Sequence, residues 1–210
     1  MALAYSEIDV CNLALDRLGQ PPIVSLDDSG KAPTLCKRMY PLARDEMLRR
    51  VPWRRLKKRA VIAAVGVPPV WGDGLLYELP GDLLKLLDVY SNSNYVQNVG
   101  WELEGNQILT QADGPLHIRY IVKSNDPSSW DSLMISTVAA YMAKDMAETL
   151  TQDATKKQYA YQDFMAIMDE AKHANSQEGV YVNIDDADTW VTDRYGGSSN
   201  VTARGISEPT

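Results

Sequence analysis

No stretch of this sequence approaches the about 18 consecutive apolar residues that a membrane-crossing helix needs, so a membrane protein is not expected. The first residues carry Glu7 and Asp9 where a secretory signal wants a basic head and an unbroken apolar run, so the chain is expected to stay in a cytosol-like compartment. Cysteine is scarce. Cys11 and Cys36 both fall at apolar-stripe positions of predicted helices and read as buried free thiols rather than a disulfide or a metal site. Histidine is equally scarce, and His117 and His173 have no Cys or carboxylate at ligand spacing, so no zinc or other cofactor is expected. The patterns G-x-S-x-G, H-E-x-x-H and G-x-x-x-x-G-K are all missing. Carboxylate pairs exist, at Asp27-Asp28 and Asp185-Asp186, but in turn-like settings where Asp caps backbone amides. A glycosidase-type acid/base pair is therefore not assigned, a cell-wall hydrolase has little behind it, and the chain is not expected to be an enzyme.

What is present is ordinary for a soluble globular protein: 210 residues, 45% apolar and 23% charged. The first predicted helix opens at Ser6, whose hydroxyl can accept a backbone N–H while Asp9 favours the positive helix end. Ile8, Cys11, Leu15 and Leu18 form its apolar face, and Gly19 supplies the left-handed stop. Pro21 and Pro22 then stiffen an elbow. A second helix is expected from near Thr34, with Leu35, Met39, Leu42 and Met47 on its stripe, a kink at Pro41 and an end before Pro52.

From about residue 55 the period shortens. The segments LKKRAVIAA, LLYELP, LLDVYS, VGWELE, QILTQ and LHIRYIVK read as a meander of five or six strands separated by Pro, Gly or Asn turns. Gly105-Asn106 is placed as a tight hairpin connection, and Leu116, Ile118, Tyr120 and Val122 alternate onto one face of the last strand. Helical spacing returns with Leu133, Thr137, Tyr141, Met142, Met146 and Leu150, breaks at Thr151-Gln152-Asp153, and resumes with Tyr161, Phe164, Met165 and Met168.

Neither helix pair can close a bundle alone, so the expected class is α+β: a discontinuous bundle of about four helices interrupted by a small antiparallel β domain. The boundaries follow from the change of period. Residues 1–54 form the first half of the bundle, 55–125 the inserted β domain, 126–175 the second half, and 176–210 an extended C-terminal tail. That tail is polar, Gly/Ser-rich and acidic, too poor in apolar surface to offset its chain entropy alone, so it is expected to dock on another subunit.

The sharpest electrostatic feature is RRVPWRRLKKR, residues 49–59. It holds Arg49, Arg50, Arg54, Arg55, Lys57, Lys58 and Arg59 and no acid, in a chain whose net charge is −7. Such a cluster, with Trp53 inside it, suits phosphate binding. It equally suits a solvated face, a guard on an exposed strand, or a contact with an acidic neighbouring subunit. The first of these readings makes the chain a nucleic-acid-binding protein, the alternative to a structural role.

Taken together, ALDRLGQPPIVSLDD, YPLARDEMLRRVPWRRLKKRA, YELPGDLLKLLDVY and WELEGNQILT followed by GPLHIRYI give the chain an order of parts that resembles the tail tubular protein A family over roughly residues 5–175. These are the head-to-tail adaptors of short-tailed bacteriophages. The resemblance implies a structural virion protein, a connector at the head–tail interface that is assembled in the host cytoplasm. It implies a homo-oligomer, a twelvefold ring beneath the portal protein, with the tail nozzle of tubular-protein-B type on the opposite face and the tail fibre as a further contact. Viral DNA would pass through the lumen during ejection without sequence-specific binding, and a net acidic wall would help by repelling phosphate. The stiff elbow would fix a helix angle on which ring closure depends. The likeness does not extend to the tail, whose assignment to the portal rests on placement and composition. Trp190, Val191, Arg194 and Tyr195 are its expected anchors, because aromatic and Arg side chains dominate interface energetics.

Overall fold

The computed structural model describes residues 5–91 and 99–178. In chain order these form α1 (Glu7–Arg17), α2 (Lys31–Arg50), β1 (Lys57–Ile62), β2 (Leu75–Glu78), β3 (Leu83–Tyr90), β4 (Glu102–Glu104), β5 (Gln107–Thr110), β6 (Leu116–Val122), α3 (Ser132–Thr151) and α4 (Ala154–Gln177). Single 3-10 turns lie at Arg54–Leu56 and Pro127–Ser129. The class is α+β, with two small antiparallel sheets set between the second and third of four helices. None of these helices is long and apolar enough to cross a membrane.

Local signals set the helix ends. Asp9 N–H donates to Ser6 Oγ at 3.2 Å while Ser6 N–H donates to Asp9 Oδ2 at 2.8 Å, a reciprocal capping box. At the other end of α1, Gly19 adopts φ +65°, and the N–H groups of Gly19 and Gln20 return to the carbonyls of Asp16 and Leu15. The Pro-Pro elbow is then tied back onto α1 rather than left rigid in isolation. Asn12 accepts from Ile23 N–H at 2.8 Å and donates to its carbonyl at 3.0 Å, and Ile23 is buried. Gln152 at φ +53° separates α3 from α4, and Asp153 caps α4 by accepting from Thr155 and Lys156.

Two helix readings need correction. Helix α2 starts at Lys31 rather than near Thr34, because Pro33 occupies the first turn, where a missing N–H costs nothing. Leu35 and Met47 of its expected stripe are buried, but Leu42 is 64% exposed, and Tyr40 and Ala43 complete the buried face in its place. On α4, Phe164, Met168 and Ala171 form a narrow buried stripe, whereas Tyr161 and Met165 are 53% and 40% exposed. The cause is position: α4 lies at the margin of the bundle, packs chiefly on α3 and buries only one edge.

Helix α3 is the axis of the bundle, packing on α1, α2 and α4. Its Ala139, Ala140, Ala143 and Ala147 let neighbours approach, and Met134, Val138, Met142 and Met146 fill the space between them. One core therefore joins Val10, Leu15, Met47, Met142 and Phe164, residues drawn from both ends of the described chain. Each fully buried Leu or Met of this kind contributes roughly 1.5–3 kcal/mol. Cys11 and Cys36 lie in this core as free thiols, as expected.

The strands do not form a meander. One sheet has the order β1-β6-β3 and the other β2-β5-β4, so the first strand of the insertion pairs with the last, Lys57 opposite Ile121 and Ile62 opposite Leu116. The burial of β6 explains why it is central. Leu116, Ile118 and Tyr120 enter a second core with Tyr77, Val89 and Ile108, while Ile121 on the other face enters the helical core. A strand covered on both faces belongs in the middle of its sheet. The hairpin at Gly105-Asn106 is present, with Glu104 opposite Gln107.

Candidate functional site

The basic segment begins where α2 must end. Val51, which precedes Pro52, is extended at φ −105°, and Trp53 turns back so that its Nε1–H donates to Met47 O at 3.1 Å, a carbonyl at the helix end that also accepts from Val51 N–H at 3.4 Å. Val51, Trp53 and Leu56 are all buried. These three apolar anchors press the backbone onto the helical core and leave the intervening cations outside.

Those cations do not share one surface. Arg49 donates to Leu84 O at 3.0 Å, and Lys85 donates back to Arg49 O at 3.3 Å, which joins α2 to β3. Arg50 pairs with Glu46 at 2.6 Å and lies over the Tyr141 ring, while Tyr141 donates its hydroxyl to the same carboxylate at 2.7 Å. That hydroxyl contact, then Arg50, outweighs burial and holds the Glu46 pKa below the usual carboxylate range. Arg54 and Arg55 turn to the end of α4: Arg54 bonds Asn175, and the Arg55 guanidinium sits 3.7 Å from Asp131 and 3.8 Å from Glu178. Lys58 pairs with Asp82 at 2.8 Å. Arg59 stands opposite Arg119 in the ladder, and Arg119 pairs with Asp88.

The segment thus works as a three-way clamp between α2, the end of α4 and the root of the β insertion. One place keeps a surplus of positive charge. Arg54, Lys57 and Lys172 line a cleft of about 260 Å³ together with Val51, Pro52, Asn175 and Ser176, and no acid is among its lining residues. Partial desolvation, then the charges of Arg54 and Arg119, hold the Lys57 ammonium pKa below the ordinary lysine value.

Trp190, Val191, Arg194 and Tyr195 lie outside the described residues. His117 sits on β6 with a buried Nδ1 that has no hydrogen-bond partner, and His173 is exposed on α4. Among the described residues no three His, Cys, Asp or Glu side chains converge as metal ligands.

Sequence reasoning missed the β1–β2 connection, residues 63–74. Only Ala64 and Val65 continue the ladder, through a bridge to Tyr77 and a bond from Val65 N–H to Leu76 O. Beyond them Val67, Val70 and Trp71 are 63%, 101% and 86% exposed. Pro68-Pro69 cannot donate to a sheet, so an apolar run placed among Pro and Gly was the available signal. No family model matches the sequence, and no curated protein matches it.

Proposed function

We propose that the chain is a non-enzymatic structural protein of a short-tailed bacteriophage, a head-to-tail adaptor that assembles as a ring between portal and tail nozzle. The observation that supports this most is the clamp at residues 49–59. It welds a bundle made from both ends of the described chain to an insertion that leaves and returns through paired strands β1 and β6. The result is a stiff two-part subunit, with a helical body and a β head able to meet different partners, and stiffness is what a ring needs if small angular errors are not to accumulate. Against the nucleic-acid alternative, four of the seven cations, Arg50, Arg54, Arg55 and Lys58, already bond acids or Asn175 in the same molecule.

The test is assembly on the portal of the same phage. Mixing purified chain with portal rings and weighing the product by native mass spectrometry is expected to give a complex carrying a ring of adaptor copies. A truncation ending at Glu178, which keeps α4 and its clamp whole, is expected to fold and to lose portal binding. Absence of any complex with the full chain overturns the reading; normal binding by the truncation removes the tail from it.

A further inference from the structure

The insertion has a chemically one-sided tip. Residues 60–81 and 99–118 contain Asp73, Glu78, Glu102, Glu104 and Asp113 and not one Lys or Arg. Within this acidic region Val67, Val70 and Trp71 of the loop stand exposed, and Leu103 of β4 is half exposed. The loop arches over a hollow of about 530 Å³ lined by Val65, Pro68, Leu76, Glu104 and Gln107 among others. An exposed apolar knob with a charged rim is the usual mark of an interaction surface.

The opposite pattern lies at the other end of the insertion. The Arg54–Lys57–Lys172 cleft gathers three cations around Val51 and Pro52. Lys172 also touches Asp169 at 3.3 Å, and Arg54 Nε is engaged by Asn175 O, which leaves the Lys57 ammonium and the remaining guanidinium edge turned to solvent. Its volume suits a single large side chain, and a guanidinium or ammonium against an indole face is an attractive pairing. An acid rim beside that indole would relieve the charge the cleft collects.

The two surfaces are separate within the molecule: the cleft and the hollow under the loop share no lining residue. Lys57 opens β1 and Ile62 closes it, so at about 3.4 Å per residue the strand alone puts about 17 Å between Lys57 and the start of the loop that carries Trp71. We propose that the Trp71 tip of one copy seats in the Arg54–Lys57–Lys172 cleft of a second copy. The contact is head-to-tail, the kind that closes into a ring or continues as a filament. It rests on the self-assembling part of the adaptor reading and names the surfaces that would carry it.

Disulfide trapping with the full chain tests this. Val70→Cys and Ser176→Cys place thiols on the exposed tip and on the cleft rim, while Cys11 and Cys36 stay buried. Mixed under mild oxidation, the two variants are expected to form the mixed cross-link at least tenfold faster than Val70→Cys mixed with Gln158→Cys on α4. Adding Trp71→Ala to the tip partner is expected to remove most of that excess, and so is Glu104→Lys, with Lys172→Glu in the cleft partner restoring it. Cross-linking no faster than the α4 control overturns the proposal, as does a predominance of Val70→Cys homodimer, which would mean tip-to-tip pairing. If the tip–cleft link is missing but rings still form on the portal, this interface is wrong and the adaptor reading stands. If the link forms and no portal binding is found, the reverse holds.

Discussion

Arg54 and Asn175 grip each other across 121 positions of sequence: the Arg54 N–H donates to Asn175 Oδ1 at 2.8 Å, and its Nε–H donates to the Asn175 carbonyl at 2.9 Å. Asn175 returns an N–H to Pro52 O at 3.3 Å. A cation placed on a carbonyl in the last turn of α4 also meets the negative end of that helix. Replacing Asn175 with Ala removes the side-chain half of this arrangement, two bonds on an exposed site, and is expected to cost about 1 kcal/mol. The more telling readout is local. Amide hydrogen exchange over the last turn of α4 is expected to accelerate in Asn175→Ala while α3 is unchanged; equal protection in both proteins would show that the contact holds nothing in place.

How far the sequence reveals this arrangement depends on how local each signal is. The capping box of Ser6 and Asp9, the stop at Gly19 and the hairpin at Gly105-Asn106 are written within three or four residues, and all three are legible. Pairing of β1 with β6 has no local signature, since the two strands are joined only through everything between them, and a meander is the natural but mistaken reading. Periodicity marks Leu42, Tyr161 and Met165 as apolar but cannot say which neighbour arrives to cover them, and none does within the described residues. The same limit applies to the basic segment. Its charge is plain in the sequence, but Asn175, Asp131 and Asp82, the partners that turn it from a surface patch into a clamp, lie far along the chain.

Asp82 offers a test through pH. It accepts from Lys58 at 2.8 Å and from the Tyr120 hydroxyl at 2.9 Å. The Lys58 contact, helped by Tyr120 against a smaller opposing effect of burial, holds the Asp82 pKa below its ordinary value, and burial followed by the Asp82 hydrogen bond pushes Tyr120 up to about 12. A carboxylate whose folded pKa is depressed adds stability above its unfolded value of about 3.9 and loses it as the pH falls through the folded one. Asp82→Asn is therefore expected to lower the urea midpoint at about pH 7 and to converge on the parent protein below about pH 3. The site is partly exposed, so the gap at neutral pH should be modest, of order 1 kcal/mol or less. A gap that stays constant down to about pH 2.5 would mean that the side chain's shape, not its charge, is what matters.

The insertion's own core turns on a contact between Gly114 and Tyr77. Tyr77 is fully buried, and its hydroxyl donates to Ala112 O at 2.9 Å, so the ring has little room to move. A methyl group at position 114 would lie 2.8 Å from one ring carbon and 2.9 Å from the hydroxyl oxygen, well inside contact distance. Gly114→Ala is expected to destabilise the fold by about 1–3 kcal/mol through overpacking. Gly81→Ala, where nothing lies within 4 Å, serves as the control and is expected to change stability by no more than about 0.5 kcal/mol. The decisive comparison is the cycle with Tyr77→Leu, which shortens the side chain that the added methyl group would strike. If the ring is the obstacle, the alanine costs much less in the leucine background, and an additive result would place the strain of Gly114→Ala in the backbone instead.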